Sequence, residues 1–299
     1  MFSVVNTRKI WFVFSGILTV VSVVLVFTWG LKPGIDFRGG TLFELEFENQ
    51  TDPGNIKHDL TAAGYGNIIT QAVTENTVIV KTEPLSEEQI QKLKTDLAAK
   101  FGKFSEHRFE TIGPSIGREL VRKAYWQIIL VCAGIVLYIA YSFRKINKTT
   151  TKGRLSSWKL GLAAIIALIH DLLITVGVFV VLGHFKGVEI DSLFVTALLT
   201  ILGFSVHDTI VVFDRIRENI EKRPYMELSE TIDYSVNTTL ARSINTSSTL
   251  VFVLIAMLLF GGETIFNFVL TLLIGVVFGT YSSIFIASPI LYIWQKRNN

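Results

Sequence analysis

The chain has 299 residues, half of them hydrophobic, with a net charge of +3 and a mean hydropathy of +0.48. An apolar excess of this size excludes an ordinary soluble domain, and a single cysteine, Cys132, excludes a disulfide framework or a thiolate metal site. The apolar residues gather into six runs that qualify, or nearly qualify, as membrane spans, for which about 20 residues cross a ~30 Å hydrocarbon layer. They are Ile10–Trp29, Ala124–Phe143, Leu160–Leu182, Ser192–Phe213, a run ending at Phe260, and Thr264–Trp294. Residues 1–31 are therefore expected to form span 1 with its leading segment, 32–122 a folded domain outside the membrane, and 123–299 the other five spans and their loops.

Arg8 and Lys9 precede span 1, which lacks a small-residue cleavage pattern and reads as an uncleaved anchor. Next comes Lys32-Pro33-Gly34-Ile35-Asp36-Phe37-Arg38-Gly39-Gly40-Thr41, a turn-rich junction with three glycines and a proline. It lacks the GK[ST] of a phosphate-binding loop. A rigid elbow that orients the following domain is the plain reading of Gly34, Asp36, Gly39 and Gly40.

Thr41–Glu48 alternates like a half-buried strand, and Asp52-Pro53 opens a helix that ends near Gly64. Asn67–Val73 and Thr77–Thr82 read as a hairpin. Ser86 and Gln89 form a capping box ahead of Ile90, Leu93, Leu97 and Phe101, and Phe104–Ile112 supplies a last strand. The order β-α-β-β-α-β predicts a ferredoxin-like α+β domain between the first two of six transmembrane helices.

Basic residues then set orientation. Arg144, Lys145, Lys148, Lys152, Arg154 and Lys159 fill the loop after span 2, Arg215, Arg217, Lys222 and Arg223 follow span 4, and Lys296 and Arg297 end the chain. The rule that such loops stay inside puts both termini in the cytoplasm and the folded domain outside.

Spans 3 and 4 carry ionisable groups at depth: His170 with Asp171, and His207 with Asp208. An Asp there costs about 2.5–3.5 kcal/mol on the insertion scale, so each group must face protein or water. A satisfied helix–helix hydrogen bond is the plain reading, the stronger one for the histidines; Asp208 is the candidate for function. Leu250–Phe260 is too short to span, so span 5 must reach back through Arg242, Thr246 and Thr249, a polar stripe at i, i+4, i+7. The stripe is expected to face the bundle with Arg242 level with Asp208; the alternative is an Arg242 that reaches to the inner surface. Asp214 begins the charges at the span 4 exit, in reach of Arg217 or Glu218. Gly275 and Gly279 invite close helix approach in span 6, and Pro289 should kink or end it.

Four stretches carry a resemblance over the whole chain: GIDFRGGT (Gly34–Thr41), AAIIALIHD (Ala163–Asp171), GFSVHDTIVVFDRIREN (Gly203–Asn219) and LARSINTSSTL (Leu240–Leu250). Together they resemble the SecF family of protein-export membrane proteins, within the resistance-nodulation-division superfamily. The resemblance implies a subunit of the bacterial inner membrane that pairs with a SecD-like subunit, associates with the SecYEG channel, and uses the proton-motive force to assist late steps in the passage of an unfolded polypeptide. It implies protons as the coupling ion, no cofactor, no metal, no nucleic acid and no enzymatic activity. Matched position by position, it puts a proton relay on Asp208 and Arg242, with Asp171 and Asp214 in supporting places; His207, Thr246 and Thr249 are further supporting candidates on their position in the spans. His207 stands where the family signature often has Asn. Two other functions compete: a proton-driven small-molecule exporter of the same superfamily, which usually has about twice as many spans, and an intramembrane aspartyl protease built on Asp171 and Asp208, which lacks the GxGD context of such enzymes.

Overall fold

The computed structural model describes residues 2–144 and 157–296. The basic residues Lys145, Lys148, Lys152, Arg154 and Arg297 lie outside the described residues. Among the described residues, six helices are long and apolar enough to cross a membrane. The chain divides into two compact units: a helical unit of residues 1–32, 126–188 and 193–299, and an α+β unit of residues 33–125 joined by residues 189–192.

The first helix, α1 (Val4–Thr28), is capped by Ser3 and followed by a single turn, α2 (Ile35–Arg38). The α+β unit continues with β1 (Gly40–Phe47), α3 (Pro53–Ala62), β2 (Ile69–Ala72), β3 (Thr77–Thr82), α4 (Glu87–Phe101) and β4 (Phe104–Ile112). Its sheet runs β2-β3-β1-β4 with every pair antiparallel, the order that a split β-α-β-β-α-β chain gives when both helices cover one face. Alternation in β1 drives this arrangement. Phe43, Leu45 and Phe47 are all buried against Ile56 and Leu60 of α3 and Leu93 of α4. Asp52 caps α3 through the Gly54 N–H, and the Ser86–Gln89 capping box is formed in both directions. Only β2 is markedly shorter than its β-branched run suggests.

α5 (Pro114–Ser142) continues from the end of the α+β unit into the helical unit, and α6 (Ser157–Lys186), α7 (Ser192–Lys222) and α8 (Leu228–Phe260) are, like it, single helices. The sixth span is built from α9 (Glu263–Ser282), a π-helical turn (Ser283–Ala287) and α10 (Ser288–Lys296). The π turn immediately precedes Pro289, whose missing N–H and ring break regular α pairing there; Ser288 donates its hydroxyl to the Ser283 carbonyl at 3.1 Å. The glycines of α9 are used as their spacing suggests: a Cβ on Gly275 would run into Ile201, and one on Gly279 would lie 3.0 Å from Ser205 Cβ. Span 6 thus lies directly against α7. By contrast α1, α5 and α8 turn large apolar side chains outward, among them Phe14, Ile17, Leu130 and Phe252.

Candidate functional site

Asp171 is on α6 with no exposed surface. Three groups from three different places donate to its carboxylate. Ser205 Oγ of α7 lies 2.6 Å from Oδ2, Ser282 Oγ at the end of α9 lies 2.8 Å from the same oxygen, and His170 Nδ1 lies 3.0 Å from Oδ1. The histidines separate: His170 is buried and bonds its neighbour on the same helix, not another helix, whereas His207 is exposed. His170 Nε2 is buried without a hydrogen-bond partner among the described residues.

Asp208 is 8% exposed. Thr280 Oγ1 of α9 donates to its Oδ2 at 3.2 Å, Ser247 Oγ of α8 lies 3.4 Å from the same oxygen, and the two hydroxyls bond each other at 2.5 Å. One turn along, Thr209 and Ser283 bond at 2.8 Å. Hydroxyls from α7, α8 and span 6 therefore form a polar seam through otherwise apolar helices. No cation is paired with Asp208 among the described residues.

That last point corrects an expectation. Arg242 makes no ion pair with Asp208, and Arg242, Thr246 and Thr249 are all exposed on α8 rather than turned into the bundle. The face of α8 that reaches Asp208 is instead the one carrying Ser247. The stripe keeps its predicted spacing, and the described residues leave it uncovered. Asp214 does not join the cluster either: it is exposed and pairs with Arg217 at 2.6 Å, one of the two local partners foreseen.

The two acids do not form a shared-proton dyad. No hydrogen bond joins Asp171 to Asp208, and separate hydroxyls occupy each. An aspartyl protease needs two carboxylates in contact about one proton.

The junction motif folds around backbone. Gly39 has φ +81°, and a Cβ there would lie 3.0 Å from the Ile112 carbonyl oxygen and the Pro114 nitrogen; a Cβ on Gly40 would lie 2.7 Å from the Thr82 carbonyl oxygen. Gly34 N–H donates to the Ile190 carbonyl at 2.7 Å, and Asp36 Oδ2 accepts from the Ser192 N–H at 2.7 Å. Arg38 and Lys81 both bond the Glu189 carboxylate, at 2.5 and 2.7 Å. The motif is more than an elbow: it receives residues 189–192.

Sequence reasoning found both acids but missed Ser205, Ser247, Thr280, Ser282 and Glu189. A signal for the hydroxyls exists, since Ser205 and Thr209 stand four apart on one face, as do Ser243 and Ser247. Nothing local marks Glu189, whose partners lie more than a hundred residues away.

Comparison with known proteins follows the same outline. Residues 92–297 match the family described as protein export membrane protein SecD/SecF, C-terminal, and residues 24–51 match the SecD/SecF GG motif. The chain is 40% identical to the protein translocase subunit SecF of Thermobaculum terrenum, covering 100% of this chain and 95% of the relative. It is 35% identical to the SecF subunit of Pseudomonas aeruginosa, covering 96% and 89%. Among solved structures it is similar to SecDF from Thermus thermophilus, described as a translocon-associated membrane protein, with TM-score 0.86 and 31% identity. A SecDF structure in a super-membrane-facing form gives TM-score 0.71 and 32% identity. Each comparison covers 99% of this chain and 39% of the SecDF chain, so the chain spans well under half the length of those structures.

Proposed function

The chain belongs to the SecF branch of the SecD/SecF family of protein-export membrane proteins, and from that premise we propose that it couples proton movement at Asp208 to polypeptide export. The observation that carries the proposal is Asp208 itself, a carboxylate in a span, held by hydroxyls and without an ion-paired cation among the described residues. Charge on such a group has to be met by water or by a cation brought to it. Arg242 is the candidate cation. It lies with Thr246 and Thr249 on an outward face of α8, where an arginine is too costly to leave against lipid. A SecD-like subunit covers this stripe and closes the relay at the subunit boundary. Asp171, sealed by three donors, holds α6, α7 and span 6 in register, while His207 lies on the exposed side of α7 and Asp214 near its membrane exit.

In this reading both termini are cytoplasmic, the α+β domain is outside a bacterial inner membrane, and the complex assists an unfolded chain leaving the SecYEG channel. Proton arrival and loss at Asp208 changes its attraction to a nearby Arg242 by a few kcal/mol at an effective dielectric of about 20. That is enough to bias two packings of the spans. The test is export of a reporter protein with and without a proton gradient. Asp208→Asn keeps the shape but cannot titrate, so it should assemble normally and lose the gradient-dependent part of export. Full gradient-dependent export by an assembled Asp208→Asn variant overturns the proposal.

A further inference from the structure

Glu189–Ser192 is the connection between α6 and α7, yet its four residues belong to the α+β unit. Connections of this length between spans are usually simple surface turns. This one is gripped at three successive points by alternate residues of the junction motif. The Gly34 N–H bonds the Ile190 carbonyl, and Pro33 pairs with Ile190 in a parallel bridge. A Cβ on Gly34 would lie 3.0 Å from that carbonyl oxygen, a tight fit that a larger residue would have to push apart. Asp36 accepts from the N–H of Ser192, the first residue of α7, at 2.7 Å. Arg38 and Lys81, from α2 and β3, clasp Glu189, whose side chain is only 8% exposed. An acid so nearly buried between two cations forms short charge-assisted bonds that define one position.

We propose that residues 189–192 are a strut that ties the α+β domain to the helix bearing Asp208, with Glu189 as its positioning residue. The inference rests on the proton-coupled reading above. Span 1 links the domain to the membrane through the junction, and α5 continues from the domain's end into span 2; the strut adds a third link, directly to α7. Asp208 follows Ser192 by 16 residues on the same continuous helix, about 24 Å at 1.5 Å per residue. A helix held at its first N–H passes displacement along its axis with little loss, so movement of α7 around Asp208 and movement of the domain become one event. Gly34, Asp36 and Arg38 then owe their spacing to a single task, which is to hold Ile190, Ser192 and Glu189.

The test uses the full chain in its membrane complex. Glu189→Gln removes the charge that both cations engage and keeps the side chain's size. It should assemble normally and leave gradient-independent export unchanged, while the gradient-dependent part falls about fivefold or more, the scale of a lost coupling energy. A disulfide then replaces the clasp. Pro33→Cys with Ile190→Cys, in a Cys132→Ala background, joins neighbours in a parallel bridge whose strand spacing of about 4.8 Å lies within disulfide reach. Oxidation should restore gradient-dependent export to Glu189→Gln, and reduction should abolish it again, a reversal that a merely destabilised fold would not give. Undiminished stimulation in Glu189→Gln, or a closed disulfide that restores nothing, overturns the strut. Asp208→Asn run in parallel separates the two readings. If it alone keeps full stimulation, the relay has failed; if it loses stimulation and Glu189→Gln does not, only the strut has failed.

Discussion

Thr280 and Ser282 stand two residues apart in the last turn of α9 and donate to different acids, Thr280 to Asp208 at 3.2 Å and Ser282 to Asp171 at 2.8 Å. Two helical steps turn a side chain by about 200°. The end of α9 therefore presents opposite sides to the two carboxylates and supplies each with its own hydroxyl.

The two hydroxyls should fail differently. Ser282→Ala withdraws a donor from a carboxylate with no exposed surface, so it should lower stability by about 1–3 kcal/mol. Thr280→Val keeps the shape beside a carboxylate that retains a second hydroxyl, and should cost less stability while reducing gradient-dependent export. Thermal unfolding in detergent and the export assay separate these outcomes. Equal losses of stability would remove the distinction between a sealed acid and a working one.

Close approach at the α7–α9 contact is open to a compensation experiment. Gly275→Val drives new methyl groups into Ile201, and overpacking of this kind costs about 1–3 kcal/mol. Ile201→Ala in the same chain makes room and should recover part of the loss. A double variant no more stable than Gly275→Val would place the contact elsewhere.

Tyr65 offers a pH prediction in the α+β domain. Burial, with help from its bond to Asp96 at 3.0 Å, pushes the Tyr65 phenol up to about 12. A raised phenol means the folded state prefers the neutral form. Its contribution to stability is whole below the ordinary value of 10.0 and is lost as pH climbs through about 12. Tyr65 is the one tyrosine between residues 40 and 113, so tyrosinate absorbance of that fragment reports it alone. Asp96→Asn should bring the titration down; an unchanged curve would leave burial as the entire cause.

Orientation can be read with two cysteines in a Cys132→Ala background. Glu75 is exposed in the β2–β3 turn, and Tyr225, 99% exposed, lies between α7 and α8. In intact cells an impermeant maleimide should label Glu75→Cys and spare Tyr225→Cys until the membrane is opened. The reverse pattern would invert the proposed topology.

Much of this fold is legible because its causes are local. Asp52, Ser86 and Gln89 act within one helical turn, and β1 alternates over neighbouring residues. Helix ends in the membrane were harder, because hydropathy marks where lipid stops rather than where hydrogen bonding stops. Thus α7 runs nine residues past Phe213, α8 starts fourteen before Arg242, and α5 starts ten before Ala124. The acids were visible because charge at depth is costly. The hydroxyls around them were not, since Ser and Thr sit cheaply in any span by bonding their own backbone, as Thr175, Thr200 and Thr271 do. Arg242 shows the remaining limit: periodicity identifies a face, but which neighbour covers that face is a tertiary or subunit property.

The long helices have a consequence for the depth of Asp208. α8 has 33 residues and α7 has 31, about 50 and 46 Å of helix against a hydrocarbon layer of ~30 Å. Their excess continues as a braced pair: Asn219 bonds Ser235 at 2.8 Å, and Arg223 bonds the Tyr234 hydroxyl at 3.0 Å. Arg215 opens a collar of cations there, seven residues after Asp208, about 10 Å along the helix. Guanidinium and ammonium groups settle at the level of lipid phosphates. The headgroups therefore act as a vertical gauge for α7, and a leaflet richer in anionic lipid grips the collar harder and fixes more tightly how far the carboxylate stands from water.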